Sequence, residues 1–83
     1  MNFKLVINYS EGDSKEVTCA AADMVAFESH FDMSVARLEK EVRLSHLFFL
    51  AWNVEKRTKA TELDFEAWLN TVESVTPAEP VKK

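Results

Sequence analysis

The side chains best suited to chemistry in this 83-residue chain are one cysteine and two histidines, Cys19, His30 and His46. A zinc site usually takes four ligands, or three and a water, at short spacings, whereas these residues stand 11 positions (19 to 30) and 16 positions (30 to 46) apart. A nucleophilic cysteine also needs a contacting histidine and a third group that orients it, and no spacing here favours one. We therefore expect no catalytic site, no metal and no cofactor.

The same three residues have ordinary structural interpretations. Cys19 is expected to be a small buried apolar residue, His30 to border an apolar helical stripe, and His46 to lie on the polar side of its helix. The chain has a single glycine, Gly12, so a glycine-rich phosphate-binding loop cannot be built. Its paired acidic residues fall near predicted helix ends, where charge is typical of a solvated surface.

Composition narrows the class of protein further. The chain carries 10 Lys and Arg against 14 Asp and Glu, a net charge of −4, and its basic residues are scattered, which argues against nucleic-acid binding. The start of the chain lacks the pattern of a signal peptide, and the longest apolar run, residues 47–52, is far too short to cross a membrane. One cysteine allows no intramolecular disulfide. These features predict a soluble cytoplasmic protein.

The first 19 residues predict a β-hairpin. Apolar and polar residues alternate over residues 2–9, as in a half-buried strand. Gly12 and Asp13 supply turn chemistry, and residues 15–19 read as a second strand. Because an isolated hairpin is marginal in water, its apolar face must pack on the helices that follow.

Four helical segments are predicted after the hairpin. The first is capped by Asp23 and runs to about residue 31, the second is short and capped by Ser34, and the third spans about residues 41–58. The last is capped by Asp64, with Leu63 and Trp68 packing around the cap, and runs to about residue 75. The third helix has one apolar face, made of Leu44, Leu47, Phe48, Ala51 and Val54.

These elements define the fold class and the domain organisation. We predict a single α+β domain over residues 1–76, in which an N-terminal β-hairpin packs against three to four α-helices. Residues 77–83 hold both prolines and little apolar bulk, so we predict a disordered C-terminal tail.

Two apolar residues of the third helix, Val42 and Phe49, lie away from its apolar face. Either this helix is central and packs on both sides, or Phe49 forms an exposed patch with Trp52 and Val42 that binds a partner protein. Met24 and Met33 could help such a surface adapt to varied sequences. The candidate partner-binding residues are therefore Val42, Phe49, Trp52, Met24 and Met33.

Residues 23–75 also carry a recognisable order of motifs: Asp23-x-x-x-Phe27-Glu28, then Leu50-Ala51-Trp52, then Phe65-x-x-Trp68 followed by Val72-x-x-Val75. This order resembles the tail assembly chaperones of long-tailed, siphovirus-type bacteriophages, and it covers about two-thirds of the chain. The chain departs from the family pattern at residues 58–61, where a glycine is expected after the basic cluster.

The resemblance implies a non-catalytic chaperone in the host cytoplasm. Such proteins bind the long helical tape measure protein, keep it soluble and help to recruit tail tube subunits, and self-association on the client is compatible with that role. The family often makes a second, longer product by programmed ribosomal frameshifting, and the paired lysines Lys82-Lys83 could be encoded by a slippery run of adenines. The alternative is a small regulatory protein, of antitoxin or inhibitor type, with one globular protein target.

Overall fold

The computed structural model describes residues 3–32, 34 and 43–78. Three antiparallel strands and three helices occupy these residues, so the α+β class is confirmed. The predicted short helix after Ser34 lies outside the described residues, apart from Ser34 itself. In chain order the elements are β1 (Phe3–Tyr9), β2 (Ser14–Cys19), α1 (Ala21–Phe31), α2 (Leu44–Arg57), α3 (Phe65–Leu69) and β3 (Val72–Pro77).

The predicted hairpin is confirmed. Strands β1 and β2 pair antiparallel with Leu5 opposite Val17, and the turn closes where the Tyr9 amide donates to the Asp13 carbonyl at 2.8 Å. Gly12 has φ +111°, in the region that favours glycine, and donates back to the Tyr9 carbonyl at 3.0 Å.

The last predicted helix is wrong beyond Leu69, because Val72–Pro77 forms a third strand on the other edge of β1, giving the order β2-β1-β3. The register shifts by one residue between Asn8 and Tyr9, so Val72 and Val75 are both buried although they are three positions apart. A bulge therefore produces the spacing that a helix would show. Pro77, which was predicted to belong to a disordered tail, is the last residue of this strand. The predicted tail from residue 79 onward lies outside the described residues.

Helix α2 lies across the inner face of the sheet, between the sheet and α1. Leu5 and Ile7 of β1 are fully buried beneath this helix. Leu50 of α2 is fully buried as well. The predicted apolar face of α2 is correct except at its first residue, because Leu44 is 68% exposed. Asp64 caps α3 as predicted, accepting from the Ala67 amide at 2.8 Å.

Helix α1 begins two residues before the predicted cap. Ala20 is the N-cap and Asp23 lies within the first turn, where its carboxylate accepts from the Ala20 amide at 2.8 Å. Asp23 is thus placed inside the protein rather than at the helix end, and it is fully buried.

A second buried carboxylate, Glu55, joins four elements. From α2, its Oε2 accepts from the Tyr9 hydroxyl of β1 at 2.7 Å and from the Lys15 ammonium of β2 at 3.0 Å. Its Oε1 accepts from the Trp68 indole of α3 at 2.9 Å. A buried charge is tolerated only when it is paired and hydrogen-bonded, and Glu55 has both kinds of partner.

Replacing Glu55 by alanine should lower the free energy of unfolding by about 3 kcal/mol, because the half-buried Tyr9 donor and the buried Trp68 donor would lose their acceptor. Urea denaturation followed by circular dichroism measures this loss. Glu62→Ala, at an exposed loop position, is the matched control and should change stability by less than about 0.5 kcal/mol. Equal stability of the two variants would contradict the role of Glu55.

Candidate protein-binding site

The titratable groups nearest to a reactive arrangement are Asp23, Arg57 and Asn53. The Arg57 guanidinium donates to the Asp23 carboxylate through Nε at 3.0 Å and Nη2 at 2.7 Å. The Asn53 side-chain amide donates to the same carboxylate at 2.8 Å. Burial alone would raise the pKa of Asp23, but these hydrogen bonds and the Arg57 charge outweigh it and lower that pKa. With the Ala20 amide, both carboxylate oxygens are occupied by donors that tie α1 to α2.

Glu55 behaves in the same way. Burial on its own would raise the pKa of Glu55, yet the hydrogen bonds from Tyr9, Trp68 and Lys15, with the Lys15 charge, lower it. The pKa of Tyr9 is raised by burial first and then by its bond to Glu55, so its hydroxyl remains a donor at neutral pH. The carboxylate therefore serves to position the elements around it.

Cys19 is buried as predicted, and burial, with a smaller contribution from the Asp23 charge, raises the pKa of its thiol to about 12. A thiol protonated at neutral pH is a poor nucleophile. Within the described residues, no group of three or more His, Cys, Asp and Glu side chains is arranged to hold a metal ion.

The prediction that His46 lies on the polar side of its helix is wrong, because His46 is buried where α2 packs against α1. Its ring meets Phe27 at 5.2 Å and Phe31 at 4.8 Å, edge to face, and its Nδ1 has no hydrogen-bond partner among the described residues. His30 remains exposed and stacks on Phe49 with ring centroids 4.4 Å apart.

Phe49 lies at the centre of a ring cluster that runs from α1 across α2 to α3. Its ring contacts His30 and Phe31 on one side and Trp52 and Phe65 on the other, at centroid distances of 4.4 to 6.1 Å. Such pairs add stability beyond the area that they bury. The ring cluster comprises Phe27, His30, Phe31, His46, Phe48, Phe49, Trp52, Phe65 and Trp68.

The structure decides between the two interpretations of Phe49. Its side chain is 5% exposed, so α2 is a central helix that packs on both sides and Phe49 is not itself a contact surface. Trp52 and Met24 are half-buried against the core. Val42 and Met33, the other predicted partner-binding residues, lie outside the described residues.

An apolar surface patch lies directly above Phe49, and we call Trp52, Leu63 and Phe65 the Trp52 patch. The Trp52 and Phe65 rings are 5.5 Å apart and half-buried, and the Trp52 indole donates to the Leu63 carbonyl at 2.9 Å. Leu63 is 41% exposed. Phe49 is buried and contacts both rings, so the patch packs on the core.

Charged side chains surround this apolar centre. The Lys56 ammonium lies 5.9 Å from the Trp52 ring centroid, while Glu62, Asp64 and Glu66 are exposed around Leu63 and Phe65 in the chain. An aromatic centre with a polar rim is the usual anatomy of a protein-binding surface.

Two of the three patch residues were missed from the sequence. Leu63 was assigned to the packing around the Asp64 cap, and Phe65 was noted as part of the Phe65-x-x-Trp68 motif. The available signal was Leu63 itself, a large apolar residue at the end of the otherwise polar connection of residues 58–63.

No protein-family model matches the chain, and neither a curated protein nor a solved structure is significantly similar to it. None of the described helices combines the length and apolar character that a bilayer crossing requires.

The domain should lose stability in acid. The folded-state pKa values of Asp23 and Glu55 lie below their ordinary values of 3.8 and 4.5, so their stabilisation is fully present above about pH 5 and is lost as pH falls through the lowered values. Urea midpoints from pH 7 to pH 2 measure this. The difference in urea midpoint between wild type and Asp23→Asn should shrink as the pH falls, and a difference that stays constant would rule out the linkage. Glu62→Gln, at an exposed position, is the control.

Introducing a charge at the centre of the ring cluster should unfold the domain. We expect Phe49→Asp to cost more than about 3 kcal/mol, because it removes a buried ring and buries an unpaired carboxylate. Leu63→Asp, at an exposed position, should retain the wild-type circular dichroism spectrum and a melting temperature within about 5 °C. A folded Phe49→Asp variant would show that Phe49 is not part of the core.

Proposed function

We propose that this chain is a non-catalytic binding protein that holds apolar segments of another protein against the Trp52 patch. The observation that carries the proposal is the exposure of Leu63 beside two half-buried rings, on a support of buried aromatic side chains. A rigid aromatic surface loses little conformational entropy on binding, which favours it as a contact centre.

The buried carboxylates are fully hydrogen-bonded within the protein, which supports the same proposal. Asp23 and Glu55 are the buried acidic side chains of the described residues, and every one of their oxygens accepts a hydrogen bond that joins two elements. The thiol of Cys19 is buried and protonated. These groups stabilise the scaffold beneath the patch.

The proposed class is a tail assembly chaperone that binds the tape measure protein of a long-tailed bacteriophage and helps to recruit tail tube subunits in the host cytoplasm. This rests on the resemblance of the motifs around Asp23 and Trp52, which fall on α1 and α2. The Val72-x-x-Val75 motif was expected on a helix but lies on strand β3, so this motif does not support the resemblance. Many weakly bound copies along one extended client would hold it by avidity.

The test is to produce the tape measure protein encoded in the same genome with wild-type chain, with Leu63→Asp or with Val25→Asp. Val25 is the matched control because it is an apolar residue of α1 that is 62% exposed. Wild type and Val25→Asp should keep the client soluble, whereas Leu63→Asp should lower its soluble yield at least fivefold, because a charge desolvated in an apolar contact is costly.

The mass of the complex separates the proposed class from the alternative of a regulatory protein with one target. Light scattering after size-exclusion chromatography should give several copies of the chain per client. A complex of one copy with one globular protein would contradict the chaperone proposal. So would a client whose soluble yield is the same with and without the chain.

A further inference from the structure

The two edges of the three-stranded sheet differ in their ability to accept another strand. The Tyr9 amide donates to the Asp13 carbonyl, on the β2 side of β1. On the β3 side, the Lys4 carbonyl accepts from the Ala78 amide and the Ser10 amide donates to the Thr71 carbonyl. Backbone groups alternate in direction along an antiparallel strand, so the odd-numbered residues of β1 bond β2 and the even-numbered ones bond β3. The same alternation fixes which backbone groups of each outer strand face solvent.

On β3 the outer edge is obstructed. Thr76 pairs with Val6 and Ser74 with Asn8, so the neighbouring residues Val75 and Pro77 direct their backbone outward. Proline has no amide hydrogen to donate, and the bulge beside Asn8 interrupts the regular ladder. Both features are common means of blocking a sheet edge.

On β2 the outer edge is unpaired within the part of the chain that the structure describes, and Ser14, Glu16 and Thr18 along it are exposed. Its register with β1 is unbroken, and the amides and carbonyls of Ser14, Glu16 and Thr18 point away from β1. Among the described residues, no backbone bond from another element reaches this edge. The open stretch ends at Ala20, whose amide donates to Asp23 and whose carbonyl accepts from the first turn of α1.

We propose that β2 pairs antiparallel with β2 of a second copy of this chain, with the two-fold axis at Val17. In this register Glu16 lies opposite Thr18 of the second copy, and each of the two such pairs exchanges two hydrogen bonds, four in all. Val17 would lie opposite its counterpart on the inner face, next to the core to which it already belongs.

Charge selects this register over its neighbours. An axis at Glu16 would place two carboxylates directly opposite each other, and an axis at Lys15 would do the same with two ammonium groups, which destabilises cross-strand pairs. With the axis at Val17, Glu16 faces the neutral Thr18, and Lys15, which is already bound to Glu55, faces Cys19. Of these three registers, only the one with its axis at Val17 avoids placing like charges directly opposite each other.

The size of the contact predicts a weak dimer. Six residues of β2 extend about 20 Å, and one strand edge of that length covers well under the roughly 800 Å² per partner of a stable interface. The proposed dimer does not depend on the Trp52 patch or on any client. A dimer that forms without a client would double the number of patches on each bound unit and so raise avidity.

Proline substitution tests the edge directly. Glu16→Pro removes an amide that faces solvent and leaves the bonds between β2 and β1 intact, as proline does on natural edge strands. Glu16→Ala keeps the amide and is the matched control. Sedimentation equilibrium of the full chain from micromolar to millimolar concentration should show reversible dimers for wild type and Glu16→Ala.

For Glu16→Pro the dissociation constant should rise at least tenfold, because each dimer loses two of its four hydrogen bonds. A wild type that stays monomeric at millimolar concentration, or a Glu16→Pro variant that dimerises equally while keeping its circular dichroism spectrum, would overturn the proposal. If Glu16→Pro unfolds, Thr18→Pro serves the same purpose at the next outward amide.

Cross-linking tests the register independently of proline. Both Thr18 and Thr76 are exposed, and the proposed dimer places the two copies of position 18 about 8 Å apart and those of position 76 at least about 24 Å apart, five strand spacings. A bismaleimide that spans about 10 Å should therefore link Thr18→Cys but not Thr76→Cys. The native Cys19 can stay because it is buried; preferential linking of Thr76→Cys would refute the β2 dimer.

Discussion

The hydrogen bonds to the buried Glu55 carboxylate are the constraint on which the arrangement of this domain depends. One side chain of α2 is bound by β1 and β2, which are distant in sequence, and by α3, the next element of the chain. A carboxylate in the interior is stable only with its donors in place, so the helix cannot slide or rotate over the sheet without leaving a charge unpaired. The position of α2 in turn determines where Phe49, Trp52 and the residues that follow the helix lie.

Asp23 imposes the same condition on the other side of α2. The bidentate contact from Arg57 and the bond from Asn53 hold α1 against that side, where the rings of His46 and Phe49 also pack. Helix α2 is thus buried between the sheet and α1, and its aromatic residues serve two interfaces. The Trp52 patch is the place where this aromatic interior reaches the surface.

Much of the local structure could be predicted from short-range patterns. The strand expected from the alternation over residues 2–9, the turn at Gly12 and the cap at Asp64 each depend on neighbouring residues, and the structure shows the strand at Phe3–Tyr9, the turn and the cap. The third strand could not be predicted in this way, since the bulge that lets Val72 and Val75 share a face exists only through pairing with β1. Phe49 and His46 looked out of place for a similar reason: the surface that buries them belongs to α1.

The sequence by itself determined the α+β class, the hairpin and the presence of a long helix that contains Phe49, because these follow from composition and from contacts within a few residues. Only the tertiary structure decided which apolar residues remain at the surface and what the charged ones do. Burial is set by elements that are far apart in the chain, as when β3 pairs with β1 and Tyr9 of β1 bonds Glu55 of α2. For that reason Phe49 became the support of the candidate site, and Leu63, assigned to the packing around a helix cap, became its most exposed member.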